Sequence, residues 1–566
     1  MHRVTRIGVA VMLAAAVAAA GCTKDTGGEP PPGTSGYPPP RFTPSPVPNV
    51  DEPAGSWLEA SCELDPEIFT RVMHGYYPHR APDVLAVPRT PDFFGGFVQT
   101  SHSGPWDYLA QVPIVFYGPG FIRPVGHIAG DRVTLADIAP TFAELLGVDS
   151  PNDRGHALDR VLEPESRRGD LRLIVTVVWD GGGTNVLNAW PDYWPNLKKI
   201  MERGATLDGA TIGSSPSVTP ATHTTIGTGT FPDEHGITGI TIQQPDGSYI
   251  DSFAGRDADA VEVPMLGDTY DLATGNAAKI GLFAYKSWHL GMMSHGANWP
   301  GGDHDLAAFL DTNEKFATNP NLYYMPNYLD SIPGLHRELR KVDLEDGKLD
   351  DVWMGHDILA NHRYRRDTPA WVLHQTDVLK VMMKREGFGA DDVPDLFFTN
   401  YKQIDEGGHD WNMVNPEVAE LVKYSDAALP QLVDFLNKDV GKRHWVMVLT
   451  ADHGQQPDAQ MAQGWPISTT ELIADAAKHF GLPARRGIFG SAAGLWLNQE
   501  MAAAKGVTKE DLADWLIDYR ISDNIPAGRE DSVPDQYDDR MDEPVIAAAF
   551  PADQAARVRS CLGANP

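Results

Sequence analysis

Short apolar runs bounded by Gly, Pro or Asp recur along the chain at 84–87, 112–117, 173–179, 278–285, 396–399, 445–450 and 492–497, and each predicts a buried strand. Between several of them stand stretches of helical length and pattern, at 371–385, 417–437 and 468–480. Strands alternating with helices predict an α/β fold, a largely parallel central sheet with helices on both faces. No repeat of solenoid length occurs. Two stretches break the alternation. Residues 149–170 are polar and turn-rich and read as a linker. Residues 294–362 are rich in Gly, Asn, Asp and Tyr without a clean strand pattern, and read as an inserted cap.

The 566 residues, 42% of them hydrophobic, suffice for one large domain with insertions or for two domains. A net charge of -31 argues against a nucleic-acid-binding surface, because that affinity rests on cationic contacts with phosphates. An anionic substrate would have to be drawn in by metal ions and a few local cations.

The first residues set the expected compartment. Arg3 and Arg6 precede an apolar stretch that closes on Ala19-Ala20-Gly21-Cys22, which predicts a signal peptide over 1–21. The pattern resembles a bacterial lipoprotein signal, with Cys22 lipidated, and the alternative is a plain secretory signal with an incidental Cys. The apolar run is short for a membrane span. Residues 22–55 are rich in Pro and Gly and predict a tether. The expectation is an exported envelope lipoprotein on the periplasmic or extracellular face, touching the membrane only through its lipid. Cys62 and Cys561 remain, a disulfide candidate in an exported protein or else two buried thiols.

Chemistry gathers at the ends of predicted strands, where open α/β sheets place their sites. Asp180 follows the run at 173–179 and is backed by Gly181-Gly182-Gly183. Asp405-Glu406-Gly407-Gly408-His409 follows the run at 396–399, and Asp452-His453-Gly454 follows that at 445–450. Carboxylate with imidazole is the ligand mixture of a catalytic zinc-type site, and two such clusters suggest two adjacent metals. Between them lies a stretch dense in hydroxyls, Ser217-Val218-Thr219-Pro220-Ala221-Thr222-His223-Thr224-Thr225-Ile226-Gly227-Thr228-Gly229, closing in Pro232-Asp233-Glu234-His235-Gly236-Ile237. It reads as a capped helix start, or as a nucleophile placed at a helix N-terminus, where the local field is positive.

In this order the signatures resemble the alkaline phosphatase superfamily, in the branch of type I phosphodiesterases, nucleotide pyrophosphatases and alkaline phosphatases with a Thr nucleophile. The resemblance implies a small-molecule phosphate ester as substrate, two divalent ions, zinc by family habit, and a phospho-threonine intermediate. It implies that Asp180, Thr219, Asp452 and His453 hold one ion, with Thr219 the nucleophile, and that Asp405 and His409 hold the other. The family's third ligand to that second ion is a His in a late H-G motif, yet no His follows His479. A stretch resembling the family's late portion stands instead near the front, with Thr100-Ser101-His102-Ser103-Gly104 and Asp137-Ile138-Ala139-Pro140-Thr141. A circular permutation is the expectation: residues 56–148 correspond to the family's C-terminal part, residues 171–566 to the main part of the catalytic domain, and His102 to the missing ligand. A Cys62–Cys561 bridge would then pin the seam.

The family's phosphate-contacting Asn would fall near Ile240, with Thr241 or Gln243 as replacements. The K-x-R motif of the Thr-type monoesterases becomes Lys286-Ser287-Trp288. Lys286 is expected either to contact phosphate or to stand as a surface cation at a strand end; Trp288 exchanges a bidentate Arg grip for an aromatic face on which part of the substrate can stack. The expected activity is metal-dependent hydrolysis of a phosphoric monoester, diester or nucleotide pyrophosphate. The competing expectation is a weakly active or inactive envelope lipoprotein that binds ligand in a metal-containing cleft. A sulfatase is set aside, since neither C-x-P-x-R nor S-x-P-x-R occurs.

Overall fold

The computed structural model describes residues 37–42, 55–96, 101–130, 132–311 and 313–563. The expected signal peptide, Cys22, Thr100 and most of the 22–55 tether lie outside them. Where the tether is described it is held: Tyr37 donates to Glu420 at 2.8 Å and stacks on Tyr193, and the Arg41 amide donates to the Ala189 carbonyl at 3.0 Å. Among the described residues no helix is long and apolar enough to cross a membrane.

The chain forms an α/β fold around a 10-stranded sheet. Its middle is parallel, in the order Asp305–Leu310, Ile280–Ala284, Asp395–Tyr401, Leu173–Trp179, Trp445–Thr450. The period-2 rule assigns its two faces. Leu173, Val175, Val177 and Trp179 enter one core with the helices Pro369–Glu386 and Pro416–Phe435. Ile174 and Val178 enter another with the helices Ile138–Leu146, Thr219–Thr228 and Leu266–Thr274. Each fully buried aliphatic side chain contributes roughly 1.5–3 kcal/mol through burial, so strands apolar on both faces are what this double cover requires.

One strand of the middle breaks the parallel rule. Ile114–Tyr117 lies antiparallel to Trp445–Thr450, with Ile114 opposite Thr450. The parallel strands leave the sheet at the edge where Asp180, Asp405 and Asp452 follow; this strand enters it there. The residues just before it, His102 among them, are therefore delivered to that same edge.

The runs at 84–87 and 492–497 do not join the parallel sheet. They form part of a separate antiparallel sheet, ordered Ile488–Ser491, Gly494–Leu497, Val84–Pro88, Ile546–Pro551. A short apolar run shows that a strand is buried but not which strand it pairs with. This small sheet sets the first described strand beside the last. Close by, Cys62 and Cys561 are joined in a disulfide with Cα atoms 5.6 Å apart, linking the helices Trp57–Ser61 and Ala555–Leu562.

Two loose-looking stretches are structured. Within 149–170, Leu158, Val161 and Leu162 are buried, and Asn152 donates to the Thr228 carbonyl at 2.6 Å. Within 294–362, Asp305–Leu310 is a wholly buried strand of the central sheet, and the helix His336–Asp343 packs Leu339 and Val342 into the core. The stretch is therefore not a cap alone; its Gly- and Asp-rich flanks obscured a six-residue strand.

Candidate active site

Asp180 stands one residue past the strand Leu173–Trp179, and the turn behind it depends on Gly181. That residue has φ 70°, and a Cβ there would lie 2.8 Å from Asp405 Cα, so only glycine lets the two acidic loops approach this closely. Thr219 opens the helix Thr219–Thr228, whose Pro220 presets the backbone of the first turn. The helix is buried on every side, which accounts for its composition. Thr222, Thr224, Thr225 and Thr228 each return a hydroxyl to a carbonyl one turn back, at 2.7–3.1 Å. Thr219 alone presents its hydroxyl forward, to Lys402.

Around that hydroxyl the separated signatures meet. Ligand atoms of Asp180, Asp452 and His453 lie within 4.8 Å of one another, and so do those of His102, Asp405 and His409. His102 Nε2 is 3.5 Å and His409 Nε2 3.4 Å from Asp405 Oδ1. His453 Nε2 lies 3.3 Å from Asp452 Oδ2, 3.7 Å from Asp180 Oδ1 and 3.9 Å from Asp405 Oδ1, so the two groups adjoin. The rings of His102 and His453 stack with centroids 3.7 Å apart. Residues from the front and the rear of the chain thus occupy one pocket.

The histidine hydrogen bonds point the free nitrogens inward. His102 Nδ1 donates to the Ser217 carbonyl at 2.6 Å and His453 Nδ1 to the Gly454 carbonyl at 2.9 Å, leaving each Nε2 as a lone pair. Burial pushes both rings toward the neutral form, His102 far below its ordinary value. His409 runs the other way: burial lowers it, but the Asp405 carboxylate prevails and raises it.

A lysine holds the centre. Lys402 Nζ lies 2.6 Å from Asp405 Oδ2, 2.7 Å from Asp180 Oδ1 and 3.1 Å from Thr219 Oγ1. Burial opposes its charge, yet Asp180 and Asp405 overcome burial and keep it an ammonium. Burial works to raise both of those carboxyls too, and the same ammonium holds them well below the usual range. Asp452 has less help; burial and the charge of Asp180 push it up. Three buried carboxylates against one buried ammonium leave the pocket short of positive charge. Asp452 Oδ2 and His453 Nε2 are buried and neither makes a hydrogen bond. Such a donor set fits divalent cations.

Lys402 was not anticipated, although its spacing was visible: it stands three residues before Asp405, one turn away. His223 and His289 were also missed as neighbours of the site. They form a further group with Asp180. His223 Nδ1 bonds the Thr219 carbonyl at 3.0 Å, and His289 Nε2 lies 2.8 Å from the Asn400 amide, which also donates to Asp180 at 3.2 Å. Gln455 donates to Asp405 Oδ1 at 3.0 Å.

The expected substrate contacts are arranged differently. Lys286 forms an ion pair with Glu406 and lies over the Trp288 ring, 5.4 Å from its centroid. Its charge is shared with a carboxylate beside Asp405. Ile240 is exposed, while Thr241 and Gln243 belong to a hairpin and bond Asp251 and Tyr249 across it.

The fold is α/β, and the clusters at one edge of its sheet are groups able to hold metal ions. The chain belongs to the type I phosphodiesterase / nucleotide pyrophosphatase family, whose description matches residues 174–537. It is similar to alkaline phosphatase PafA of Elizabethkingia meningoseptica, 23% identical over 331 residues, which is 50% of this chain and 59% of that protein. It is also similar to GPI ethanolamine phosphate transferase 1 of Saccharomyces cerevisiae, 28% identical over 158 residues, 27% of this chain and 17% of that protein. The chain thus spans less than two thirds of the length of either. A solved structure of a PafA mutant aligns with a TM-score of 0.49 and 19% identity, covering 67% of this chain and 85% of the other.

Proposed function

We propose that the protein hydrolyses phosphoric esters through covalent catalysis at Thr219, with a preference for diesters. The observation that carries this is the convergence of the Thr219 hydroxyl, two carboxylate–imidazole groups and the Lys402 ammonium in one buried pocket. Asp180, Asp452, His453 and the Thr219 hydroxyl would hold one divalent ion, with zinc the expected metal, and Asp405, His409 and His102 the second. When bound, such ions supply Lewis acidity that stabilises charge on oxygen at neutral pH.

Thr219 Oγ gives up its proton to solvent and attacks phosphorus in line; the P–O bond to the alcohol breaks, the departing oxygen takes a proton from water, and a phospho-threonine forms. Lys402 donates toward Oγ and favours its ionised form. The helix behind Thr219 turns its positive end to the entering phosphoryl group. Water then attacks the phospho-threonine, releasing phosphate or a phosphate monoester and restoring the hydroxyl. Because Nδ1 of both His102 and His453 is tied to a backbone carbonyl, neither ring has to reorient during the cycle.

The Lys286–Glu406 pair supports the diester preference. A phosphodiester carries one negative charge and a monoester two, so the monoester needs an additional unshared cation. The test is hydrolysis of nitrophenyl phosphate against bis-nitrophenyl phosphate, with and without chelator. Faster metal-dependent turnover of the diester is expected; equal or faster turnover of the monoester overturns the preference, and no turnover of either overturns the activity.

The permuted order belongs to this proposal. The family match begins at residue 174, whereas His102 and the strand Ile114–Tyr117 precede it. So does the compartment: Arg3, Arg6 and the run ending in Cys22 support an exported lipoprotein.

A further inference from the structure

The crossover from the strand Ile280–Ala284 to the strand Asp305–Leu310 begins with Lys286 and His289 beside the active site and ends at the opposite edge of the sheet. There it meets the helix Leu266–Thr274 in a group of acids remote from the catalytic carboxylates. Asp268 and Asp271 lie one turn apart on that helix, Asp303 lies in the loop, and Asp305 is the first residue of the strand. Ligand atoms of Asp271, Asp303 and Asp305 lie within 4.8 Å of one another.

The group is built rather than incidental. Asp305 is buried and accepts from the Gly296 amide at 3.0 Å and from the Ser294 hydroxyl. Asp268 accepts from the Met265 amide at 2.6 Å and from His295 Nδ1. Asp271 is different. It is only 4% exposed, its carboxylate stands among the other two, and its buried Oδ1 has no hydrogen-bonding partner. A buried acceptor left bare is unfavourable unless something fills it. The acids facing Asp305 are Asp268, Asp271 and Asp303, whose charges add to burial in raising it, while the imidazole of His295 is bonded to Asp268. Burial with Asp303 and Asp268 likewise pushes Asp271 up to about 6. The arrangement is short of a cation.

We propose that Asp271, Asp303 and Asp305 bind a calcium ion that fastens the helix Leu266–Thr274 to the crossover loop. The all-oxygen donor set selects a hard cation. Two oxygens bound to one calcium at about 2.3–2.6 Å can lie up to about 5 Å apart, which suits this spacing, whereas magnesium demands a tighter octahedron. Backbone carbonyls and water complete the shell. The ion ties down the far end of the segment whose near end carries Lys286 and His289, and none of its ligands belongs to the catalytic pocket.

The test uses the full protein with its catalytic metals in place. Calcium is titrated to millimolar concentration while Tm is followed, and bound calcium is counted by elemental analysis after desalting. A rise of roughly 2 °C or more and one retained calcium per chain are expected. Asp303→Asn, which alters an exposed side chain and leaves the buried pair intact, should abolish both, as should Asp271→Asn, with turnover of nitrophenyl esters within twofold of the parent. No Tm response with no retained calcium overturns the site, as does an unaltered response in Asp303→Asn. An equal response to magnesium overturns the assignment to calcium. Because the readouts are stability and ion content, a failure of the proposed hydrolase activity leaves this result unaffected.

Discussion

The ammonium of Lys402 stands 3.1 Å from the hydroxyl oxygen of Thr219, between the carboxylates of Asp180 and Asp405. It is the one cation shared by both carboxylate–imidazole groups in the described site. Replacing it with the near-isosteric, uncharged Lys402→Met should lower kcat by roughly 10²-fold, the cost of one charge-stabilising donor. The same change should destabilise the metal-free protein by about 3–5 kcal/mol, because it leaves two buried carboxylates unpaired, and destabilise the metal-loaded protein less. Denaturant unfolding with and without chelator checks the difference.

Thr219→Ala should reduce turnover at least about 10³-fold while leaving the second proposed ion in place, since Thr219 is not among the residues proposed to hold it. Thr219→Ser should retain activity, and mass spectrometry of the acid-quenched enzyme should find phosphate on residue 219. Unchanged turnover in Thr219→Ala would remove the covalent route.

His102→Ala should lower metal content from two ions per chain toward one. Its effect on affinity should exceed the roughly 10–100-fold that loss of an outer partner costs. Elemental analysis of the purified variant decides; two tightly held ions would show that His102 is not a ligand.

His235 sits at the end of the hydroxyl-rich stretch, its Nε2 3.1 Å from Thr225 Oγ1 and its Nδ1 accepting from the Ile237 amide at 3.2 Å. Burial lowers its pKa from 6.5 to about 3. The unfolded chain therefore takes up a proton below about 6.5 that the folded ring refuses until about 3. Stability from this residue is complete above that window and is lost as the pH falls through it, by up to about 1.4 kcal/mol per pH unit. His235→Gln should remove one proton's worth of slope from the unfolding free energy between pH 6 and 4, as followed by urea denaturation at about ten pH values.

Cys62 and Cys561 close a loop of sequence separation 499. Reducing the bridge, or replacing both with Ser, should cost roughly 3–5 kcal/mol, since the unfolded chain regains the freedom the link removes. Guanidinium unfolding of the parent and the double variant measures it.

The gathering of carboxylates at one edge of the sheet was largely legible in the sequence. Asp180, Asp405 and Asp452 each follow an apolar run, and the α/β rule sends such residues to one edge. The strands Leu173–Trp179 and Trp445–Thr450 stand where the pattern put them, because a run buried on both faces must be apolar at every step. The strand Asp305–Leu310 was hidden by its flanks, and the runs at 84–87 and 492–497 joined a different sheet. Lys402 and His289 escaped notice because a lone cation or imidazole in a loop is ordinary until burial strips it of water.

By itself the sequence determined that the runs at 173–179 and 445–450 are buried strands, which carboxylates and imidazoles follow such runs, and where a threonine opens a helix. Those are local properties, set by the alternation of side chains and by the residue types that a strand end or helix start requires. Only the tertiary structure decided that His102 and His409 flank one carboxylate and that Lys402 reaches three partners at once. It likewise decided that Lys286 is already paired with Glu406. Such meetings depend on strand direction and on crossovers between distant segments, and no short stretch of sequence records what a residue far along the chain will be packed against.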